Sequence, residues 1–230
     1  MENSEITSAE AKKAPKNYHD TMNESIVKMK MTFGNAMLPE IFEAMQTVGY
    51  TAEKIAGLNA EVSQLEALCQ GQIKERADQS DEQNKFESKR AEINAVFNQH
   101  RSLARILFKT DPHAWVALQL NTGMPRAFAE WAQLLSNFYA QISGTPALLT
   151  KVQSLGITAD IVSAQSQALL DLQTLKESLR KETAEAQAAT DIRDRAFDAI
   201  YPKYSEYIKY AKILLPNNQM LEAIGVKVKK

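Results

Sequence analysis

The sequence predicts an all-α protein made of two tandem helical-bundle units, with long packed helices and coiled-coil-like apolar seams. The first observation is composition, since 8 Gly and 7 Pro among 230 residues is fewer than ordinary usage of about 7% and 5%. The second is periodicity, because apolar residues recur every three or four positions along most of the chain, as they do on one face of a helix. The third is repetition of the same helix-ending pattern.

The first elements predicted are an arm and two helices. Residues 1–16 are small and polar, a composition that predicts a disordered arm. From about Asn17 onward, helical spacing predicts one amphipathic helix. The residues that carry this spacing are Met22, Ile26, Met29, Phe33 and Met37. Pro39 then opens a short helix that continues to Val48, since Pro is favoured at the first position of a helix.

A helix stop followed directly by a helix start occurs at Gly49 and Thr51 and again at Gly156 and Thr158. Each glycine is predicted to take the left-handed conformation that closes a helix in a Schellman cap. Each threonine then caps the next helix through its hydroxyl oxygen. These four residues are therefore predicted to be structural caps.

A narrow apolar stripe follows each cap and resembles one seam of a coiled coil. In the second copy the stripe includes Ile161, Leu172, Leu175 and Leu179. A polar stretch comes next, at 70–90 and again at 181–191. Capping-box spacing of Ser80 and Gln83 favours a new helix start there, whereas the lack of a Pro in both stretches favours one long helix. The sequence leaves a hairpin and a continuous helix both open.

The two halves of the chain align with one another. Residues 39–108 overlay 146–215 without a gap, and the matches include caps and core leucines. Such self-similarity predicts a duplicated unit, with one repeat at 17–122 and the other at 123–230. Pro202 lies inside the last long predicted helix and is expected to kink it.

No pattern in the sequence predicts catalytic, cofactor or metal chemistry. The three histidines, His19, His100 and His113, belong to no metal-binding spacing, and Cys69 is the only cysteine. Glycines are scattered singly, so no phosphate-binding loop is expected. The protein is accordingly expected not to be an enzyme, and no cofactor is expected.

Charge and hydropathy limit the partners that the sequence predicts. With 27 Lys+Arg against 28 Asp+Glu, no overall field favours nucleic acid. No apolar run approaches the length of a membrane span, and no signal peptide is visible. A cytoplasmic location is therefore expected, with leaderless export left open.

Three segments carry a resemblance to a group of proteins. They are Ala-Arg-Ile-Leu-Phe at 104–108, Gly-Met-Pro-Arg at 123–126, and the end of the chain at 213–226. Together they resemble uncharacterised duplicated all-helical bacterial proteins over most of the chain after residue 20. The resemblance implies a duplicated helical fold and no activity, ligand or functional residue.

The function predicted from these features is structural. A narrow stripe buries little surface, so the repeated seams are expected to bind other copies, as a homo-oligomer or filament, or a helical partner. The interaction residues predicted are Leu172, Leu175, Tyr201, Tyr204, Tyr207 and Tyr210. The alternative is a small regulatory binding module with a ligand pocket between the two units. Tyrosines that point outward would favour assembly, and tyrosines around a cavity would favour a ligand.

Overall fold

The computed structural model describes residues 21–228, so the arm predicted at 1–16 lies outside the described residues. Within 21–228 the chain forms eight α-helices and no strand, and helices account for 82% of these residues. The all-α prediction is therefore confirmed. None of the described helices is both long enough and apolar enough to cross a membrane.

The helices include two of 56 residues each, α3 and α7. In chain order the helices are α1 Met22–Asn35, α2 Pro39–Gln46, α3 Ala52–Leu107, α4 Pro112–Ala117, α5 Phe128–Gly144, α6 Pro146–Gln153, α7 Ala159–Leu214 and α8 Asn218–Ala223. Both polar stretches, 70–90 and 181–191, are continuous helix. The capping-box spacing at Ser80 starts no new helix, because local spacing does not break a backbone ladder that continues on both sides. Helix α7 also continues through Pro202.

The helix bounds repeat along the chain. When 39–108 is aligned with 146–215, the first and last residues of α6 fall on those of α2, and the first and last residues of α7 fall on those of α3. This agreement supports the duplication that the sequence predicts. The two repeats at 17–122 and 123–230 stay a prediction.

The chain packs into two compact units, and each unit takes parts of both long helices. The terminal unit comprises the described residues up to Cys69 and from Ile192 onward, and the middle unit is 70–191. The terminal unit holds α1, α2, the first part of α3, the last part of α7, and α8. The middle unit holds the last part of α3, α4, α5, α6 and the first part of α7.

Aromatic rings fill the core of the terminal unit. Phe33 and Tyr207 are fully buried, and their ring centroids lie 5.5 Å apart in an edge-to-face arrangement. Tyr207 makes a second such contact with Tyr50 at 4.9 Å. The buried hydroxyl of Thr32 donates a hydrogen bond of 2.7 Å to the carbonyl of Ile224, which ties α1 to the residue that follows α8.

The middle unit has an aromatic core of its own. Phe97 of α3 and Phe138 of α5 meet edge-to-face at 5.3 Å between ring centroids, and both are buried. The buried Trp131 donates its indole N–H to Asn94 Oδ1 at 3.0 Å. A polar side chain of α3 therefore fixes the orientation of the largest ring of α5.

Glycine occupies a left-handed conformation after α2 and after α6. The φ angles are +85° at Gly49 and +82° at Gly156. The amide of Tyr50 donates to the carbonyl of Met45 at 3.2 Å, and Gly49 donates to Gln46 at 3.0 Å. These are the two hydrogen bonds of a Schellman motif, and the turn at Gly156 repeats both of them.

Threonine hydroxyls lie at the start of both long helices. Thr51 Oγ1 accepts a hydrogen bond from the amide of Lys54 at 3.3 Å, and Thr158 Oγ1 accepts one from the amide of Ile161 at 3.4 Å. Each bond satisfies a helix amide that lacks an intrahelical partner. The two turns thus share these backbone and side-chain hydrogen bonds.

Gly156→Val is expected to lower the free energy of unfolding by about 1–2 kcal/mol, because a β-branched residue must then adopt a left-handed conformation. A Cβ at Gly156 would meet nothing within 4 Å, so the loss comes from the backbone and not from a clash. Gly71→Ala, inside α3 and equally open, is expected to raise that free energy by up to about 1 kcal/mol. Urea unfolding followed by circular dichroism measures both. The reverse ranking would contradict the assignment of the helix end at Gly156.

Candidate interaction surfaces

The four tyrosines predicted to interact all lie on α7 within the terminal unit. Tyr207 is fully buried, Tyr201 and Tyr204 are half-buried, and Tyr210 is 37% exposed. Residues three apart differ by about 60° around a helix, so four such rings cover about half of its circumference. Tyr207 therefore faces the core and Tyr210 reaches the surface, and a role in interaction for Tyr201, Tyr204 and Tyr210 stays a prediction.

Tyr207 acts as a packing residue in this fold. Its hydroxyl is buried and has no hydrogen-bond partner among residues 21–228. Burial, with a smaller effect of the neighbouring Tyr50, raises the pKa of Tyr207 to about 12. The ring is enclosed by Phe33 and Tyr50, so it supports the core and is not available to a partner.

The apolar stripe on α7 is closed at one of its two predicted contact residues. Leu172 is fully buried in the core of the middle unit, and Leu175 is half-buried against that core. The premise of an open seam is therefore wrong for Leu172, because the other helices of its own unit cover it. Ile161 remains 36% exposed at the start of the stripe. A role for Leu175 in assembly stays a prediction.

The most exposed large hydrophobic residues in the described chain are two isoleucines that the sequence did not single out as contacts. Ile213 is 80% exposed and Ile106 is 77% exposed. Each is the residue before the last one of its long helix, α7 or α3, so the two are equivalent in the aligned halves. Their match between the aligned halves was visible in the sequence, but periodicity did not separate them from the neighbouring core residues.

Other exposed apolar residues accompany each isoleucine within its unit. Val116 of α4 is exposed in the middle unit together with Ile106. Tyr210 lies three residues before Ile213, on one face of α7 in the terminal unit. Each long helix therefore carries an exposed isoleucine next to its last residue.

A groove of about 370 Å³ also lies in the terminal unit, between the start of α2 and α8. Its apolar wall includes Leu38, Pro39, Ile41 and Met220. Leu38 is 45% exposed, so this wall is open to solvent. The groove offers space for an apolar side chain. Glu40 is the one charged residue among the described residues of its lining.

Three carboxylates come together on the surface of the middle unit, from Glu75 of α3 and Glu182 and Glu185 of α7. Their oxygens lie within 4.8 Å of one another. Glu185 is exposed and lies 3.5 Å from the ammonium group of Lys181. These residues have the ligand type that a hard divalent cation prefers, but such clusters are common on solvated helix faces.

His100 and Cys69 lie in packing environments. His100 is buried, and its Nδ1 is hydrogen-bonded to the hydroxyl of Tyr139 at 3.0 Å. Burial lowers the pKa of His100, which favours the neutral form of its ring. Cys69 is half-buried, and burial raises the pKa of its thiol, which keeps the thiol protonated and a poor nucleophile.

Comparison of the sequence with protein-family models and curated proteins, and of the fold with solved structures, finds no match.

Proposed function

We propose that this protein is a structural or scaffold protein that assembles with copies of itself through its repeated helical units. The observation that carries the proposal is the matched exposure of Ile106 and Ile213, at 77% and 80%. Covering an exposed isoleucine side chain contributes about 1.5–3 kcal/mol. Association with another copy is the simplest way to gain this energy at both positions, since each copy carries the same two contacts.

Two similar contacts on one chain also suggest the form of the assembly. A protein with one such contact stops at a dimer, whereas a protein with two can extend into a ring or a filament. Exposed Tyr210, three residues before Ile213 on α7, enlarges the apolar area around that isoleucine. The assembly is expected to be a homo-oligomer larger than a dimer.

Ile106→Gln and Ile213→Gln test this proposal by removing one contact at a time. Each single variant is expected to stop at a dimer, because one apolar contact remains, and the double variant is expected to be monomeric. Sedimentation velocity at micromolar concentration distinguishes these states. Both side chains are largely exposed, so these substitutions should change folding stability by less than about 0.5 kcal/mol.

Val27→Gln is the matched control, since Val27 is 62% exposed on α1 and belongs to neither contact. It should assemble as the unmodified protein does. A strictly monomeric unmodified protein would remove the proposal, and so would a double variant that assembles normally.

A further inference from the structure

Three basic side chains surround the start of α5 in the middle unit. Lys176 of α7 places its ammonium nitrogen 3.8 Å from the ring centroid of Phe128. The guanidinium carbon of Arg90 of α3 lies 5.3 Å from the ring of Trp131 and 5.9 Å from that of Phe128. Arg180 follows Lys176 by one helical turn and lines the same cleft. The three cations therefore converge although they come from two different helices.

These three cations have no carboxylate partner within 4.0 Å in the part of the chain that the structure describes. Some other cations of the fold do have such a partner, as Lys203 has in Glu61 at 2.7 Å. Burial, together with the nearby charges of Arg180 and Arg90, lowers the pKa of Lys176. The positive charges therefore repel one another, and a bound anion would relieve the repulsion.

A cleft of about 370 Å³ opens between α5 and α7 beside these cations. Its size falls within the range of sites for small organic molecules. One wall is apolar and the rest offers hydrogen-bonding groups. The lining residues are Phe128, Ala129, Ala132, Gln133, Ser136, Gln173, Lys176, Glu177 and Arg180. Glu177 is the only carboxylate among them, against two cations in the lining and Arg90 nearby.

We propose that this cleft binds a small organic phosphate, held by Lys176 and Arg180 at its phosphate and by Phe128 and Ala129 at its organic part. A phosphate monoester carries up to two negative charges, which matches a cluster of three cations better than one carboxylate does. Arginine also donates two parallel hydrogen bonds to phosphate oxygens. The inference is independent of self-assembly, and the site lies within one unit rather than between the units.

A small ligand fits the observations better than a polyanion does. The cleft is concave and limited in volume, and the chain has a net charge of −1. Binding to nucleic acid draws most of its affinity from many phosphate contacts on an extended basic surface. Three cations around one cleft provide a single anion position instead.

Titration with phenyl phosphate, observed through the indole N–H signals in ¹⁵N-resolved NMR spectra, tests the proposal. The Trp131 signal is expected to shift, because Trp131 contacts Phe128 at 5.7 Å and lies beside Arg90. Trp115 of α4 serves as the internal reference and is expected to stay. Phenol, which lacks the phosphate, should bind at least about tenfold more weakly than phenyl phosphate. Added NaCl should weaken the binding of phenyl phosphate.

Substitutions in the cleft identify the groups that bind. Lys176→Gln and Arg180→Gln should each weaken the binding of phenyl phosphate by about tenfold or more, since each removes a charge-assisted hydrogen bond. Glu177→Gln should tighten binding several-fold by removing the opposing carboxylate. Lys181→Gln is the matched control, because Lys181 pairs with Glu185 on the same helix and does not line the cleft.

Several results would overturn the assignment. The first is no shift of the Trp131 signal at millimolar phenyl phosphate, and the second is equal binding of phenol. The third is unchanged affinity for phenyl phosphate in a Lys176→Gln and Arg180→Gln double variant. The fourth is binding of polyglutamate, a polymer of carboxylates, without binding of phenyl phosphate. Co-sedimentation with phosphatidic acid vesicles, in competition with phenyl phosphate, shows whether a lipid or a soluble molecule brings the phosphate. Competition between phosphatidic acid vesicles and phenyl phosphate supports the phosphate site, whether a lipid or a soluble molecule supplies the phosphate.

Discussion

Leu172→Ala is expected to lower the free energy of unfolding of the middle unit by about 2–5 kcal/mol, which is the usual cost of removing a fully buried leucine side chain. Leu172 is fully buried in that unit. The loss combines the transfer of apolar groups from water with the cavity left behind. Leu170→Ala is the matched control on the same helix, since Leu170 is 55% exposed, and its effect should stay within about 0.5 kcal/mol.

Urea unfolding followed by tryptophan fluorescence measures this pair of variants. Both tryptophans of the chain, Trp115 and Trp131, lie in the middle unit, so their fluorescence reports that unit. Similar losses for both variants would contradict the burial of Leu172. The double variant Leu172→Glu and Leu175→Glu should unfold the middle unit, because it places a charge in the core.

The sequence predicts the helices well because their signals are local. Apolar spacing identifies the faces of α1, α5 and the long helices, and glycine followed by threonine marks two of the helix boundaries. A third left-handed glycine, Gly225, closes α8 with the same hydrogen bonds. Gln119 takes this conformation after α4 without a glycine. The sequence signal is lost there because the fold holds a non-glycine residue at positive φ.

The continuity of α3 and α7 could not be predicted from the polar stretches. Polar residues between two apolar stripes are compatible with a solvated helix surface and with a turn. The choice depends on whether the backbone gains more by continuing its ladder than by reversing. Packing at both ends of the stretch decides between a continuous helix and a turn. The local spacing of residues carries no information about that packing.

Burial on a stripe also depends on which elements cover it. Periodicity places Leu172 and Leu175 on one apolar face but does not say that helices of the same unit cover Leu172. The same limit explains Ile106 and Ile213, which match between the aligned halves of the sequence yet lie at the surface. The basic cleft could not be predicted from the sequence either, because Arg90 and Lys176 are far apart in the chain and belong to no motif.

Two buried tyrosines should respond in opposite directions when the hydroxyl is removed. Tyr139→Phe is expected to lower the free energy of unfolding by about 1–3 kcal/mol, because it leaves the buried Nδ1 of His100 without its hydrogen bond. Tyr207→Phe is expected to raise it by up to about 1 kcal/mol, since a buried hydroxyl without a partner keeps its desolvation cost. The Tyr207 hydroxyl is such a group among the described residues.

Separate probes are needed because the two tyrosines lie in different units. Tryptophan fluorescence follows Tyr139→Phe in the middle unit, and circular dichroism in urea follows Tyr207→Phe in the terminal unit, which has no tryptophan among residues 21–69 and 192–228. Phenylalanine retains the ring contacts that each tyrosine makes, so the difference isolates the hydroxyl. Comparable destabilisation by both variants would mean that the Tyr207 hydroxyl has a bonding partner. Such a partner would make Tyr207 part of a polar network in the terminal unit rather than a packing residue.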